Sequence, residues 1–129
     1  MSNVTAELLL SEDPIPFPAT AGDDGDGAEV CFLGRVRLME EERALRGIEY
    51  SAYSPMAEDS LATIHREALE RFGAHKCQVR HRTGFVAAGE TSIAIIVATP
   101  HSGEAFDLCR HYLHRIKTEV PIWKKPIFA

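Results

Sequence analysis

Two stretches of the chain carry apolar residues at the three- and four-residue spacing of an amphipathic helix. The first apolar face comprises Ala57, Leu61, Ile64, Ala68 and Phe72. The second comprises Ala105, Cys109, Tyr112 and Ile116. Ser54 and Ser102 are the predicted N-caps, Gly73 is the predicted C-cap of the first helix, and Pro121 stops the second. The pattern therefore predicts two helices that share one core.

Shorter apolar or alternating runs predict strands. These runs are Val4–Leu10, Ala28–Arg37, Gly47–Tyr53, Lys76–Arg82 and Thr91–Thr99. The last run is continuously apolar, which is typical of a central strand covered on both faces. Ala21–Gly27 is predicted to be a flexible acidic loop, and Leu38–Arg46 a mobile charged excursion.

Size and composition favour one domain, residues 1–129, with residues 1–27 the less certain part of it. The 129 residues are 45% hydrophobic and 26% charged, as in ordinary globular proteins. No apolar run has the length of a membrane span and the N-terminus lacks a signal sequence, so we expect a cytoplasmic protein. A net charge of -5 disfavours nucleic acid as a partner.

The sequence predicts no metal site. Three cysteines are an odd count without CxxC spacing, so we expect them to be reduced and mostly buried. The acidic loop lacks the terminal bidentate glutamate of an EF-hand. His111 and His114 share a helical face, but no third ligand accompanies them.

The C-terminal stretch holds the best candidate chemistry. Lys117 falls at the end of the second helix, where it meets the negative end of the helix dipole. Lys124 and Lys125 follow the Pro121 turn and stand next to Trp123. Converging ammonium groups with an indole wall suit an anion, a proton transfer or an attack on an acyl carbon. A solvated cluster explains the same spacing, and the spacing alone favours it.

Two further positions are candidates by their place in the pattern. Arg37 ends a strand after Gly34 and offers a bidentate fork for phosphate or carboxylate, although an ordinary solvated arginine fits equally. His101 lies where the central strand ends and the second helix begins, a frequent location of functional residues.

These residues together resemble a known family. The motifs are Phe32-x-Gly34-x-Val36-Arg37, Glu49-Tyr-x-Ala-Tyr-x-Pro-Met-Ala-Glu58, His81-Arg-x-Gly84, Gly89-Glu90, His101, Ala105-Phe106 and Lys117-Thr-x-x-Pro-x-Trp-Lys-Lys125. In this order, from Ala28 to Phe128, they closely resemble the large, catalytic subunit of molybdopterin synthase.

The resemblance implies an α/β-hammerhead fold of the α+β class, with a mixed, largely antiparallel sheet and packed helices. It implies a homodimer that binds a small ubiquitin-like sulfur carrier at each end, giving a heterotetramer. The carrier's C-terminal Gly-Gly thiocarboxylate would deliver sulfur to cyclic pyranopterin monophosphate and form the dithiolene of molybdopterin. Neither a metal nor another cofactor is implied.

Carried over by residue, Lys117 is implied as the principal catalytic lysine and Lys124 as its helper. Phe32, Arg37, His101 and Lys125 are implied as substrate-binding residues. The family usually has His-Arg where this chain has His101-Ser102. A non-catalytic adaptor for a ubiquitin-like tail and a generic small-anion-binding protein are the alternatives. Retention of Lys117 and Lys124 favours the enzyme.

Overall fold

The computed structural model describes residues 6–16 and 22–129. In chain order the elements are β1 (Ala6–Ser11), β2 (Ala28–Arg35), β3 (Met39–Glu40), β4 (Arg43–Ala52), α1 (Met56–Phe72), β5 (Lys76–Arg82), β6 (Gly84–Ala87), β7 (Thr91–Thr99), α2 (Ser102–Glu119) and β8 (Ile122–Phe128). This arrangement confirms the α+β class. Within the described ranges, neither helix is long and apolar enough to cross a membrane.

The first sheet has the strand order β1-β5-β7-β2. Only β1 and β5 run parallel among these neighbours; the other pairs are antiparallel. On one face of β7, Ile93, Ile95 and Val97 pack in the core with both helices. The residues between them are also buried, which confirms the prediction of a central strand covered on both faces.

The second sheet is built around β4, which pairs antiparallel with β3, β6 and β8. A smaller apolar cluster lies on it, formed by Val36, Leu45, Ile48, Tyr50 and Val86. Ile122 packs against this cluster and against the main core. The two sheets and the end of α2 are thereby held together around one residue at the start of β8.

The predicted apolar faces of both helices are confirmed, but both predicted N-caps are wrong. Pro55 occupies the N-cap position of α1, and the Ser54 hydroxyl donates instead to the Glu58 carboxylate at 3.0 Å. His101 is the N-cap residue of α2, because its carbonyl accepts the first helical hydrogen bond, and Ser102 is already helical. At the other end of α1, Gly73 caps as predicted, with φ of 86°.

Two segments predicted to be loops are better ordered than the sequence suggests. Within Leu38–Arg46, β3 and β4 form a hairpin whose turn residues, Glu41 and Glu42, both have positive φ. In the acidic loop, of which Ala21 lies outside the described residues, the carboxylates of Asp23 and Asp26 lie 3.0 and 2.8 Å from Lys76 Nζ. Two ion pairs to Lys76 therefore tie this loop to the start of β5.

A hydrogen-bonded polar group is buried where α1, β5 and α2 meet. The Tyr112 hydroxyl lies 2.6 Å from His75 Nε2 and 3.0 Å from His65 Nδ1. His75 Nδ1 donates to the Gly73 carbonyl at 2.8 Å, so its Nε2 accepts the phenolic proton of Tyr112. Because Tyr112 and His75 are 1% and 5% exposed, water cannot replace these hydrogen bonds.

Replacing Tyr112 by phenylalanine should lower the free energy of unfolding by about 1–3 kcal/mol, because His75 Nε2 would remain buried without a donor. Urea denaturation at neutral pH measures this difference. Tyr53→Phe is the matched control, since Tyr53 is 57% exposed. Equal stability of Tyr112→Phe and Tyr53→Phe would contradict the assigned network.

Candidate active site

A cavity of about 460 Å³ opens between the two sheets and the C-terminal end of α2. Its walls come from β2 and the segment after it, β4, β5, β7, α2 and β8. The predicted residues Phe32, Arg37, Lys117 and Lys124 all line it. Residues separated by up to 92 positions in the sequence are thus brought to one cavity.

Lys117 lies in the last turn of α2. The helix ends because Val120 turns to extended geometry, with ψ of 127°, before Pro121. The Val120 amide still donates to the Ile116 carbonyl at 3.3 Å, which keeps the final turn closed. Lys117 therefore lies at the negative end of the helix dipole, which favours a cation there.

Lys124 reaches the cavity from β8. In the antiparallel register of β8 with β4, Lys124 lies opposite Tyr50, and the neighbouring Lys125 lies opposite Glu49. Successive side chains of a strand point to opposite faces, so Lys124 shares the cavity wall with Ile122 and Tyr50, whereas Lys125 does not line the cavity. Trp123 is 58% exposed and also lies outside the lining, so the predicted indole wall is wrong.

Arg37 is positioned by the end of β2. A bulge between Gly34 and Arg35 shifts the register against β7. Val36 then donates its amide to the Glu90 carbonyl at 3.0 Å and accepts from the Gly89 amide at 2.8 Å. The β6–β7 turn therefore fixes the backbone from which Arg37 projects.

Gly34 allows β2 to approach the cavity floor closely. A Cβ atom added at Gly34 would lie 2.5 Å from Ile93 Cγ2 and 3.3 Å from the Phe32 ring. Ile93 and Phe32 both line the cavity, so any side chain at Gly34 would displace its wall.

Arg82 and Glu90 support this region without lining the cavity. Arg82 is 7% exposed and lies 3.3 Å from the Glu90 carboxylate, and it also donates to the carbonyls of Glu12 and Phe85. The same carboxylate oxygen of Glu90 accepts from the Ala87 amide at 2.9 Å. The motif residues Arg82 and Glu90 thus have a structural explanation. They stabilise the β6–β7 turn, whose backbone forms hydrogen bonds with Val36.

The cavity is strongly cationic in a chain whose net charge is negative. Arg35, Arg37, Lys117 and Lys124 line it, with Glu40 as the accompanying carboxylate. Among the described residues, the ion pairs within 4.0 Å involve none of these four cations. Their charges are available to an anion that enters the cavity.

His81 also lines the cavity, although the sequence pattern assigned it no role in the site. It lies on β5, and its ring meets the Tyr50 ring edge-on at 5.2 Å between centroids. Burial lowers the pKa of His81, the Lys124 charge lowers it further, and a hydrogen bond with the Arg82 carbonyl opposes both effects. The sequence alone does not show that His81 and Lys124 share a cavity, because the pairing of separate strands brings them there.

His101 is distant from this cavity along α2. It is exposed at the N-terminal end of the helix, and Lys117 lies sixteen residues further along the chain. At 1.5 Å per residue the two positions are roughly 24 Å apart along the helix axis. In one chain, a small molecule cannot contact both.

The described residues contain one group with the spacing of metal ligands: His65, His75 and Cys77, whose ligand atoms lie within 4.8 Å of one another. The hydrogen bonds of both histidines to Tyr112 already satisfy this group. Burial also raises the pKa of the Cys77 thiol to about 11, which disfavours the thiolate that a metal requires. We interpret it as part of the core network.

The cysteines and the paired histidines of α2 add no further chemistry. All three cysteines are unpaired, as expected; Cys77 and Cys109 are buried, whereas Cys31 is exposed. The His111 ring packs edge-on against Phe72, with 5.1 Å between centroids, while His114 is exposed.

Comparison with known proteins gives a consistent family. The model of the MoaE protein family matches residues 10–119. The molybdopterin synthase catalytic subunit of Arabidopsis thaliana is 38% identical over 80% of this chain and 52% of its own length. The protein of the same name from Pyrococcus abyssi is 34% identical over 84% of this chain and 74% of its own length. The chain thus spans about half the length of some of the curated relatives it matches.

Solved structures agree with this result. Molybdopterin synthase from Staphylococcus aureus superposes with a TM-score of 0.83 at 31% identity, covering 100% of this chain and 93% of that chain. A chain from a complex of subunits 1 and 2 of the molybdopterin-converting factor of Helicobacter pylori has a TM-score of 0.69 at 19% identity, covering 98% and 90%, and shares the fold. The family match over most of the chain and the common fold together establish that this chain belongs to the MoaE protein family.

Proposed function

We propose that this chain is the catalytic subunit of a molybdopterin synthase, a sulfurtransferase of molybdenum cofactor biosynthesis. It transfers sulfur from the thiocarboxylated C-terminus of a small ubiquitin-like carrier to cyclic pyranopterin monophosphate. The observation that carries this proposal is the convergence of Lys117 and Lys124, from a helix end and a separate strand, on one cationic cavity in a MoaE-family chain. The names of the relatives support it.

The cavity suits a small, anionic, ring-containing substrate. Its volume of about 460 Å³ lies within the usual range of small-molecule sites. Arg37 offers the bidentate fork that a phosphate accepts, while Phe32 and Tyr50 provide aromatic surface for a pterin. We assign phosphate binding to Arg37 and Arg35, which leaves the two lysines for the reacting atoms.

The lysines supply what sulfur transfer requires. When the thiocarboxylate sulfur attacks a carbon of the substrate, an oxygen leaves and must receive a proton. We assign this general-acid role to Lys117, the principal catalytic residue, and Lys124 assists by stabilising the charge that develops. Proton transfer and charge stabilisation are functions that these side chains perform without a further cofactor.

The carrier tail is proposed to enter along β2. This strand is an edge of the first sheet within the described part of the chain, and its residues Phe32 to Arg35 line the cavity. An extended tail can pair with the free edge of such a strand, and its glycines pass where side chains would collide. The Helicobacter chain belongs to a complex of subunits 1 and 2 of the molybdopterin-converting factor, which supports a partner subunit for this chain.

The wider assembly is part of the same proposal. We assign to the chain a homodimer with one carrier at each end, and a cytoplasmic location, which agrees with three unpaired cysteines. His101 and Lys125, which lie outside the cavity of a single chain, have no role in the site proposed here.

Reconstitution tests the function directly. The purified chain is mixed with thiocarboxylated carrier and cyclic pyranopterin monophosphate, and dithiolene formation is measured. Turnover is expected. Tight carrier binding with no turnover would contradict the proposed enzyme and favour the alternative function, a non-catalytic adaptor for a ubiquitin-like tail.

Lys117→Ala should reduce turnover by on the order of 100-fold or more, because it removes a proton donor at the reacting atoms. Its side chain is exposed and unpaired among the described residues, so the melting temperature and carrier affinity should remain near those of the unmodified chain. Turnover within twofold of the unmodified chain would remove Lys117 from the mechanism.

Lys124→Ala and Lys125→Ala form a matched pair on adjacent positions of β8. Only Lys124 lines the cavity, so its loss should reduce turnover by roughly tenfold or more, while Lys125→Ala stays near normal. Steady-state kinetics of both variants at one ionic strength compare them. The reverse order of effects would show that β8 adopts the other register in solution.

Deleting the last two glycines of the carrier should weaken its binding. At about 1 kcal/mol per backbone hydrogen bond, the loss of two paired residues predicts roughly tenfold or greater weakening. Calorimetry with full-length and shortened carrier measures it. Unchanged affinity would mean that the globular surfaces alone carry docking and that the tail does not pair with β2.

A further inference from the structure

His81 is a titratable cavity residue to which the proposed reaction has so far assigned no role. It lines the cavity together with Lys117 and Lys124, and it is placed there by the central part of the first sheet, between Leu10 of β1 and Ile93 of β7. Its ring contacts that of Tyr50, which lies opposite Lys124 in the β4–β8 register. Three strands therefore bring the imidazole and the Lys124 ammonium to the same wall.

The hydrogen bonds of His81 define its tautomer. Its Nδ1 lies 2.7 Å from the Arg82 carbonyl, which accepts only, so Nδ1 carries the proton. In the neutral ring, Nε2 is then the basic nitrogen, and none of the described residues forms a hydrogen bond with it. A backbone-anchored imidazole with a free Nε2 is the usual geometry of a general base.

The groups around His81 favour its neutral form. The cavity that His81 lines also contains Lys124 of β8, Lys117 of α2 and Tyr50 of β4, whose ring contacts that of His81. Its other charged residues are Arg35 and Arg37 at the end of β2 and Glu40 of β3, and β7 contributes the apolar Ile93. On its other side, a second cavity of about 260 Å³ is shared with Arg80 and Asp13. Burial is the largest cause that lowers the pKa of His81, and Lys124 contributes in the same direction.

We propose that His81 is the general base of this cavity and that its Nε2 accepts a proton from the water that releases the carrier from the transferred sulfur. The inference rests on the proposed function. After the first transfer, the carrier's acyl carbon remains bonded to the sulfur on the substrate as a thioester. Water oxygen bonds to that carbon, its proton moves to Nε2, the carbon–sulfur bond breaks, and the imidazolium returns the proton to sulfur. The products are a carboxyl group and a thiol, so atoms and charge balance.

Lys124 is the natural complement of this base. Lys117 donates the proton during sulfur attack and His81 accepts one during hydrolysis, so the acid and base roles are divided between two groups of one cavity. Burial lowers the pKa of His81 most, and the charge of Lys124 adds to this effect, so both favour the form of His81 that accepts a proton. The wall that Lys124 and His81 share thereby serves both half-reactions, with charge stabilisation during sulfur attack and proton removal during hydrolysis.

The first test separates the two ring nitrogens. His81→Asn retains a side-chain N–H near Nδ1 for the Arg82 carbonyl but has no counterpart of Nε2. In single-turnover reactions with thiocarboxylated carrier, followed by mass spectrometry, this variant should accumulate the carrier–substrate thioester. Release should slow by on the order of 100-fold or more. His114→Asn, the same change at an exposed position of α2, is the control.

The pH dependence gives a readout that a structural role would not alter. In the unmodified chain, release should be fast above the lowered pKa of His81 and decline as pH falls through it, because the imidazolium cannot accept a proton. In His81→Asn this acid limb should be absent. Rapid release with an unchanged acid limb in a folded His81→Asn protein overturns the proposal, whereas failure of the unmodified chain to transfer sulfur overturns the proposed function and this role with it.

A second test needs neither activity nor a His81 variant that folds well. Nuclear magnetic resonance follows the titration of the histidine rings in the unmodified chain and in Lys124→Met, which has a similar length and no charge. The pKa of His81 should rise in Lys124→Met, and the pKa of His111, which burial and charges other than Lys124 lower, should not change. An unchanged His81 titration means that the two groups are not coupled and overturns the proposed pair.

Discussion

The cavity depends on the register between β4 and β8. Because side chains alternate across a strand, a shift of one residue would replace Lys124 in the cavity by Trp123 or Lys125. Two features hold the register: Ile122 packs at once into both apolar clusters, and the Tyr53 amide donates to the Pro121 carbonyl at 3.0 Å. The same short connection fixes the end of α2, so one packing contact sets the spacing of both lysines.

A second set of interactions, centred on Arg82, supports the opposite side of the cavity. The Arg82 guanidinium is buried and would be costly to leave without acceptors. Glu90 and two backbone carbonyls provide acceptors for its two terminal nitrogens, and this arrangement holds the turn that fixes Val36. The same strand end carries the Arg82 carbonyl that anchors His81. Of these neighbouring residues of β5, Arg82 therefore stabilises the surrounding backbone and His81 lines the cavity.

The parts of the fold that sequence could predict are those that local pattern determines. The helical faces and the apolar run of β7 follow from periodicity, and they are confirmed. The β3–β4 hairpin was missed because its turn places Glu41 and Glu42 at positive φ, where glycine or asparagine is the usual signal. The sequence does not predict strand β8, because its lysines and Pro126 interrupt the alternating apolar pattern of a strand. Its pairing with β4 stabilises the extended backbone.

The candidate site shows the same division. The sequence predicts Lys117 and Lys124 as a pair because only a helix end and the Pro121 turn lie between them. His81 was visible only as part of a motif, since its lowered pKa arises from burial and from a lysine far away in the sequence. The placement of His101 and Lys125 outside the cavity likewise follows from helix length and strand alternation, which motif spacing does not reveal.

The charge distribution explains why one cavity must contain both lysines and a neutral histidine. Under the proposed function, two anions, a thiocarboxylate and a phosphate, must approach closely, and four cavity cations offset their repulsion. A purely cationic site would hold the product carboxylate as firmly as the reactants and would offer no base for water. A neutral imidazole within the same field accepts a proton from water and returns it to sulfur, so it ends the step without adding to the charge that retains the product. The cations therefore account for assembly of the reactants, and the histidine accounts for their release.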